Sequence, residues 1–135
     1  MSIERNKALV GRFIALFSES RVDEAFALLS DDFHWQTWGS LPFSGRSDKA
    51  TVRAAADGLR DAFTVKPAWI VDHMIAEGDE VAVQCHTVGD TRGGFEYRNH
   101  YHLAVTIRDE QIVEILEYMD TQHCMELVQA VERES

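Results

Sequence analysis

The sequence predicts an α+β fold, with helices packed on the concave side of a curved antiparallel sheet. Three observations carry this prediction. Apolar residues recur at helical spacing over the first 29 residues and again over 48–63. From Val65 to Met119 the period is two, as in strands with one buried face. After Asp120 the helical spacing returns. Helices first, a run of strands next and a helix to close is an α+β order. The 135 residues suit one domain, 1–135, with a single core.

The first helix is Ile3 to Ser18. Ile3, Val10, Phe13, Ile14 and Phe17 form its stripe, with Glu4, Arg5, Lys7 and Arg12 off that face. Ser2 is its cap, and Glu4 suits the positive end of the helix dipole. Val22 to Leu29 reads as a short second helix, ended by Ser30-Asp31-Asp32. Phe33 to Trp38 (FHWQTW) is β-branched and aromatic, hence a strand. Gly39, Pro42 and Gly45 make a loop, and Ser44 or Ser47 opens a third helix, about Asp48 to Phe63. Its expected buried stripe is Val52, Ala55, Ala56, Leu59 and Phe63.

Val65 to Glu77 is a strand with Pro67 near its start, where proline is tolerated. Gly78-Asp79 turns the chain into a strand from Glu80 to Val88. Gly89 to Gly94 (GDTRGG) reads as a hairpin loop, leading to a strand from Phe95 to Ile107. Arg108-Asp109-Glu110 turns into the last strand, Gln111 to Met119. Asp120 begins a final helix with Cys124, Leu127, Val128 and Val131 on one side.

Composition removes several function classes. The net charge is −10 and no Lys/Arg cluster exists, so neither nucleic acid nor an anionic membrane surface is an expected partner. No apolar run approaches the roughly 18 residues of a membrane span. The segment MSIERNKALVGRF lacks the continuous apolar core of a signal peptide, so the expected location is cytoplasmic. Cys85 and Cys124 both stand in apolar contexts and read as buried free thiols. GxGxxG, P-loop and GxSxG patterns are missing, which leaves nucleotide cofactors and serine nucleophiles unsupported. No cofactor is expected.

The functional signal lies in FEYRNHYHLAVTIRDEQIVEILEYMD, where Asn99, Tyr101, Glu117, Tyr118 and Asp120 are threaded through Leu, Val and Ile. By alternation Ile115, Glu117 and Met119 share one strand face, while Leu116, Tyr118 and Asp120 share the other. Asn99 and Tyr101 fall on the side of Leu103, Val105 and Ile107. Glu117 therefore points into an apolar cavity, where its pKa should rise and fit it to move a proton near neutral pH. Asn99 and Tyr101 would orient a substrate oxygen or the Glu117 carboxyl. Asp120 reads both as a helix cap and as a second functional acid. Trp35, Trp38, Trp69 and Phe13 set how much space the cavity holds. The six histidines are dispersed without paired ligand spacing, and no metal site is expected.

The chain resembles the SnoaL-like and ketosteroid-isomerase-like group of the nuclear transport factor 2-like superfamily. The carriers are the first helix, WGSLPFSGRSDKA, MIAEGDEVAVQ, YRNHY, and ILEYMDT closing into a helix. Their order and spacing cover nearly the whole chain. The resemblance implies a cone-shaped, cystatin-like barrel, a homodimer formed through the outer sheet face, and a pocket at the cone mouth for a small apolar molecule. Tyr118 would then lie at the dimer contact. In the limonene-epoxide hydrolase branch Glu117 matches an acidic residue that supplies a catalytic carboxylate. Trp38 and Ser40 fall where that branch has a tyrosine and an asparagine, and Cys85 and Thr87 where it has an arginine and an aspartate. The resemblance thus points away from epoxide hydrolysis and toward relatives in which one acid on the last strand carries a proton. It places Trp38 and Ser40, with Met119 beside Glu117, among the substrate contacts.

The expected function is cofactor-independent isomerisation or polyketide-cyclase-like chemistry on a small hydrophobic or carbonyl-containing molecule, with Glu117 as base. The alternative is a non-catalytic protein that binds a small hydrophobic metabolite.

Overall fold

In the computed structural model, which describes residues 2–134, the elements run α1 (Ile3–Ser18), α2 (Val22–Phe26), β1 (Leu29–Thr37), β2 (Gly45–Asp48), α3 (Lys49–Arg60), β3 (Phe63–Glu77), β4 (Glu80–Thr91), β5 (Glu96–Tyr97), β6 (His100–Arg108), β7 (Gln111–Met119) and α4 (Thr121–Glu134). The strands form one curved, unclosed sheet in the order β2-β1-β7-β6-β4-β3, with β5 paired to β4. The predicted α+β class holds. The sheet is not wholly antiparallel, because β1 runs parallel to β7.

Several boundaries differ from the sequence reading, each for a local reason. The second helix stops at Phe26 because Leu29 already pairs with Ile112 of β7. Residues 45–48, expected in and around a loop, pair with β1 as an edge strand, so neither serine caps α3. Asp48 does so instead, accepting from Thr51 N at 2.8 Å, while Ser44 Oγ accepts from Leu41 N. β4 continues through the expected loop to Thr91, since Gly89 and Asp90 pair with β5. Gly89 also passes so close to β3 that a Cβ there would lie 2.9 Å from Pro67 Cα. The expected single strand 95–107 is broken at Asn99, whose side-chain Oδ1 takes the backbone N–H of His100. The β6–β7 turn is tight, with Asp109 and Glu110 both at positive φ, as a two-residue hairpin requires.

The core lies between α1 and the concave sheet face. Val10, Phe13 and Ile14 pack against Val81, Val83, Leu103, Val105 and Ile115. Asn6 is buried on the same helix face and donates to Gly78 O, while Ile3 stays exposed. α4 buries Cys124, Leu127 and Ala130. α3 differs from both: none of its residues is buried, although its apolar stripe was expected to be. Phe63 is buried, but as the first residue of β3. Among the described residues no helix is long and apolar enough to cross a membrane.

Candidate functional site

The parallel pairing of β1 with β7 sets Trp35 opposite Ile115 and Thr37 opposite Glu117. Alternation then turns Trp35, Thr37, Glu117 and Met119 to the concave side. On β6, Tyr101 pairs with Met119, so Tyr101 and Glu117 are diagonal neighbours on one face. These side chains line a cavity of about 490 Å³. Trp69, Thr87 and Tyr97 complete its floor and one wall, Val52, Ala55, Ala56 and Leu59 of α3 form another, and Cys124, Leu127, Val128 and Val131 of α4 close a third.

Glu117 sits deep in this space with only 8% of its surface exposed. Thr37 Oγ1 donates to its Oε1 at 3.0 Å, and the Trp35 side chain adds a second hydrogen bond. Burial raises the carboxyl pKa to about 7, and the bonds from Thr37 and Trp35 hold it from rising further. No cation is among the causes. The carboxyl is thus half ionised near neutral pH and has a free face toward an apolar cavity.

A second polar group faces the same space. The Tyr101 hydroxyl is hydrogen-bonded to that of Tyr97, which in turn accepts from Asn99 Nδ2 at 2.9 Å. The Tyr101 ring packs on Trp69 with centroids 4.5 Å apart. Burial raises the pKa of both phenols, so both remain protonated donors. Burial likewise pushes Cys124 up to about 11 and Cys85 up to about 12, which leaves two unreactive thiols.

The structure brings together Glu117, Tyr101, Trp35, Trp69 and Met119 of the residues singled out in the sequence. It places the others elsewhere. Trp38 lies beyond the end of β1 on the convex side, 46% exposed and stacked on Tyr118 with centroids 6.1 Å apart. Alternation explains this, since Trp38 is one residue past inward-facing Thr37. Ser40 is exposed in the following loop and does not line the cavity. Phe13 is buried in the core beneath, and Phe17, one turn later, reaches the cavity instead. Asn99 is fully buried behind the wall, with Nδ2 donating to Tyr97 Oη and Asp120 O, and Oδ1 accepting from His100 N and Asp120 N. It is spent holding the wall and the start of α4. Asp120 is exposed and its Oδ1 accepts from His123 N at 3.2 Å, the geometry of a helix cap.

Thr37, Tyr97 and the stripe of α3 are among the cavity-lining contributors that went unnamed as such in the sequence. Thr37 shares its strand face with Trp35, and Tyr97 stands two residues before Asn99, so alternation was the available signal for both. Among the described residues no group of three or more His, Cys, Asp or Glu side chains is placed to hold a metal. His86 and His100 instead lie side by side on the convex face, rings 5.9 Å apart.

The SnoaL-like domain profile matches residues 10–115. The chain belongs to the SnoaL-like family. Its solved structural relatives share the fold across nearly the full chain. An NTF2-like protein from Burkholderia xenovorans LB400 is 21% identical, with 93% of this chain and 97% of that one covered and a TM-score of 0.76. PrhC from Penicillium brasilianum NBRC 6234 is 15% identical, covering 98% and 91%, with a TM-score of 0.89. A protein from Jannaschia sp. CCS1, provisionally assigned as a SnoaL-like polyketide cyclase, is 18% identical, covering 93% and 92%, with a TM-score of 0.76. No functionally curated protein matches the sequence. Glu117 stands two residues past the SnoaL-like match, so its place rests on the geometry of this chain.

Proposed function

We propose that this SnoaL-like protein is a small-molecule enzyme that moves a proton on a carbonyl compound, as an isomerase or cyclase does, with Glu117 as the base. One observation carries the reading: a carboxyl without a cationic partner, raised to about pH 7 by burial, at the bottom of an apolar cavity. In the ionised form Glu117 takes a proton from the carbon α to the carbonyl. The C–H electron pair enters the enolate, and the negative charge settles on oxygen. Tyr101 donates a hydrogen bond to that oxygen when Tyr97, whose own oxygen is already served by Asn99 Nδ2, takes the donor role in the Tyr97–Tyr101 pair. Glu117 then returns its proton to the same or a neighbouring carbon. The steps need no cofactor. The relative from Jannaschia, provisionally assigned to cyclase chemistry, is in keeping with this class of reaction. The two unpaired thiols suit a reducing compartment, hence action in the cytoplasm.

The test is exchange of α-protons of aryl methyl ketones into D2O, followed by NMR. Wild-type protein should accelerate it, and Glu117→Gln should lose about 10²- to 10⁴-fold while still binding the ketone. Exchange unchanged in Glu117→Gln would remove Glu117 as base. The second reading is a non-catalytic carrier of a hydrophobic metabolite. The predominantly apolar residue lining and the engagement of the Tyr101 hydroxyl with Tyr97 favour it. Ketone binding without exchange would select it.

A further inference from the structure

The polar residues of the cavity are not confined to its floor. Lys66, at the start of β3, and Arg60, in the last turn of α3, line it as well, together with Glu132 of α4. Lys66 is exposed and Arg60 half-buried, so both stand near the mouth, away from deeply buried Glu117. The chain has 23 carboxylates for 13 lysines and arginines. Against that excess, Lys66 has no carboxylate within ion-pair distance among the described residues and donates only a 3.5 Å bond to Glu19 O. Arg60 is held at 3.2 Å by Asp57, which it shares with Arg53. A cation of this acidic protein is thus left unneutralised at the rim of an apolar cavity.

Between mouth and floor runs the uncovered stripe of α3. Leu59 is 47% exposed, and no residue of this helix is buried by the protein itself. A twelve-residue amphipathic helix without a buried residue lacks the packing that normally holds such a helix. An apolar molecule beneath it would supply that packing. Three zones therefore follow one another: a proton-accepting carboxyl with a phenol, an uncovered apolar wall, and a cationic rim.

We propose that the occupant is an amphiphilic acid: a carbonyl compound with an apolar body and a carboxylate at the end opposite its enolisable carbon, that carboxylate being received by Lys66 and Arg60. The inference rests on the proton-transfer reading for the floor end and adds the charge at the rim. The rim pairs are partly solvated, so they fix orientation and add modest affinity. Glu132 opposes them and sets a limit on the gain.

The probes are 4-(4-acetylphenyl)butanoate and its neutral isostere 4-(4-acetylphenyl)butanamide, measured by calorimetry and by α-proton exchange. The acid should bind about tenfold more tightly than the amide at low salt. The preference should vanish in Lys66→Gln/Arg60→Gln, shrink in 0.5 M NaCl, and grow in Glu132→Gln. Equal binding of acid and amide, with Glu117-dependent exchange intact, overturns the charged end and leaves the floor chemistry standing. An acid preference that survives in the double variant overturns the assignment to these two residues. A preference obtained without exchange upholds the rim while the floor reading falls, and binding of neither compound overturns both.

Discussion

Thr37 Oγ1 and Glu117 Oε1 are 3.0 Å apart across a parallel strand pair, joining residues 80 positions apart in the chain. The hydroxyl donates to the carboxylate and so favours its ionised form, against the burial that disfavours it. The carboxyl settles at about 7 as the balance of burial against the contributions of Thr37 and Trp35.

Thr37→Val removes the donor and keeps the shape. The Glu117 pKa should then rise further, by about one unit. Carbon-13 NMR titration of the carboxyl reads this directly, and the rising limb of the exchange-rate profile should move to higher pH by the same amount. A limb that stays near pH 7 would show that Thr37 does not tune the base.

Glu117 also gives stability a definite dependence on pH. The folded protein keeps its proton up to about pH 7, while the unfolded chain releases it near 4.5. Between these values the folded state binds more protons, so stability falls as pH rises, and the full cost of about 3 kcal/mol is present above pH 7. Glu117→Gln removes that cost. Urea unfolding should find the variant more stable at pH 8 by up to that amount, and equal to wild type below pH 4.

Asp120→Ala separates capping from chemistry. Loss of the bond to His123 N should cost about 1 kcal/mol of stability. The exchange rate at saturating ketone should not change. A fall of tenfold or more in that rate would place Asp120 in the reaction despite its exposed position.

The convex face predicts self-association. Trp38, Tyr118, Ile70 and Ile75 are between 42% and 58% exposed there, and Trp38 stacks on Tyr118. Large apolar side chains exposed on both sides of one sheet face suit a contact surface. Sedimentation should find a dimer, and Tyr118→Lys should shift it to monomer with the cavity's ligand binding kept. A wild-type monomer at micromolar concentration would end this expectation.

Period and composition made most of the architecture legible. α1, β7 and the start of α4 were readable to the residue, because a serine or aspartate cap or a tight turn marks each edge. β2 was not, since Gly45-Arg46-Ser47-Asp48 carries no apolar signal and is strand only through its pairing with β1. The parallel β1–β7 pair was equally hidden, because no local pattern states which distant strand lies alongside. In the site, Glu117, Tyr101 and Met119 were legible from strand alternation alone. Trp38 was placed by likeness to relatives, and its own strand parity, one residue after Thr37, put it on the opposite face. Asn99 counted as an inward polar residue, but its side chain satisfies four groups of the backbone and of Tyr97 and has nothing left for a ligand.

The strand pairing that gives Glu117 its donors has a consequence for biosynthesis. Trp35 and Thr37 leave the ribosome long before their partner does, and until β7 arrives their strand has only the four-residue β2 to pair with. The floor of the cavity can therefore form only once β7 has emerged, and contacts of such long sequence separation form slowly. Nascent chains stalled before residue 117 should leave the aromatic edge of β1 open to chaperones.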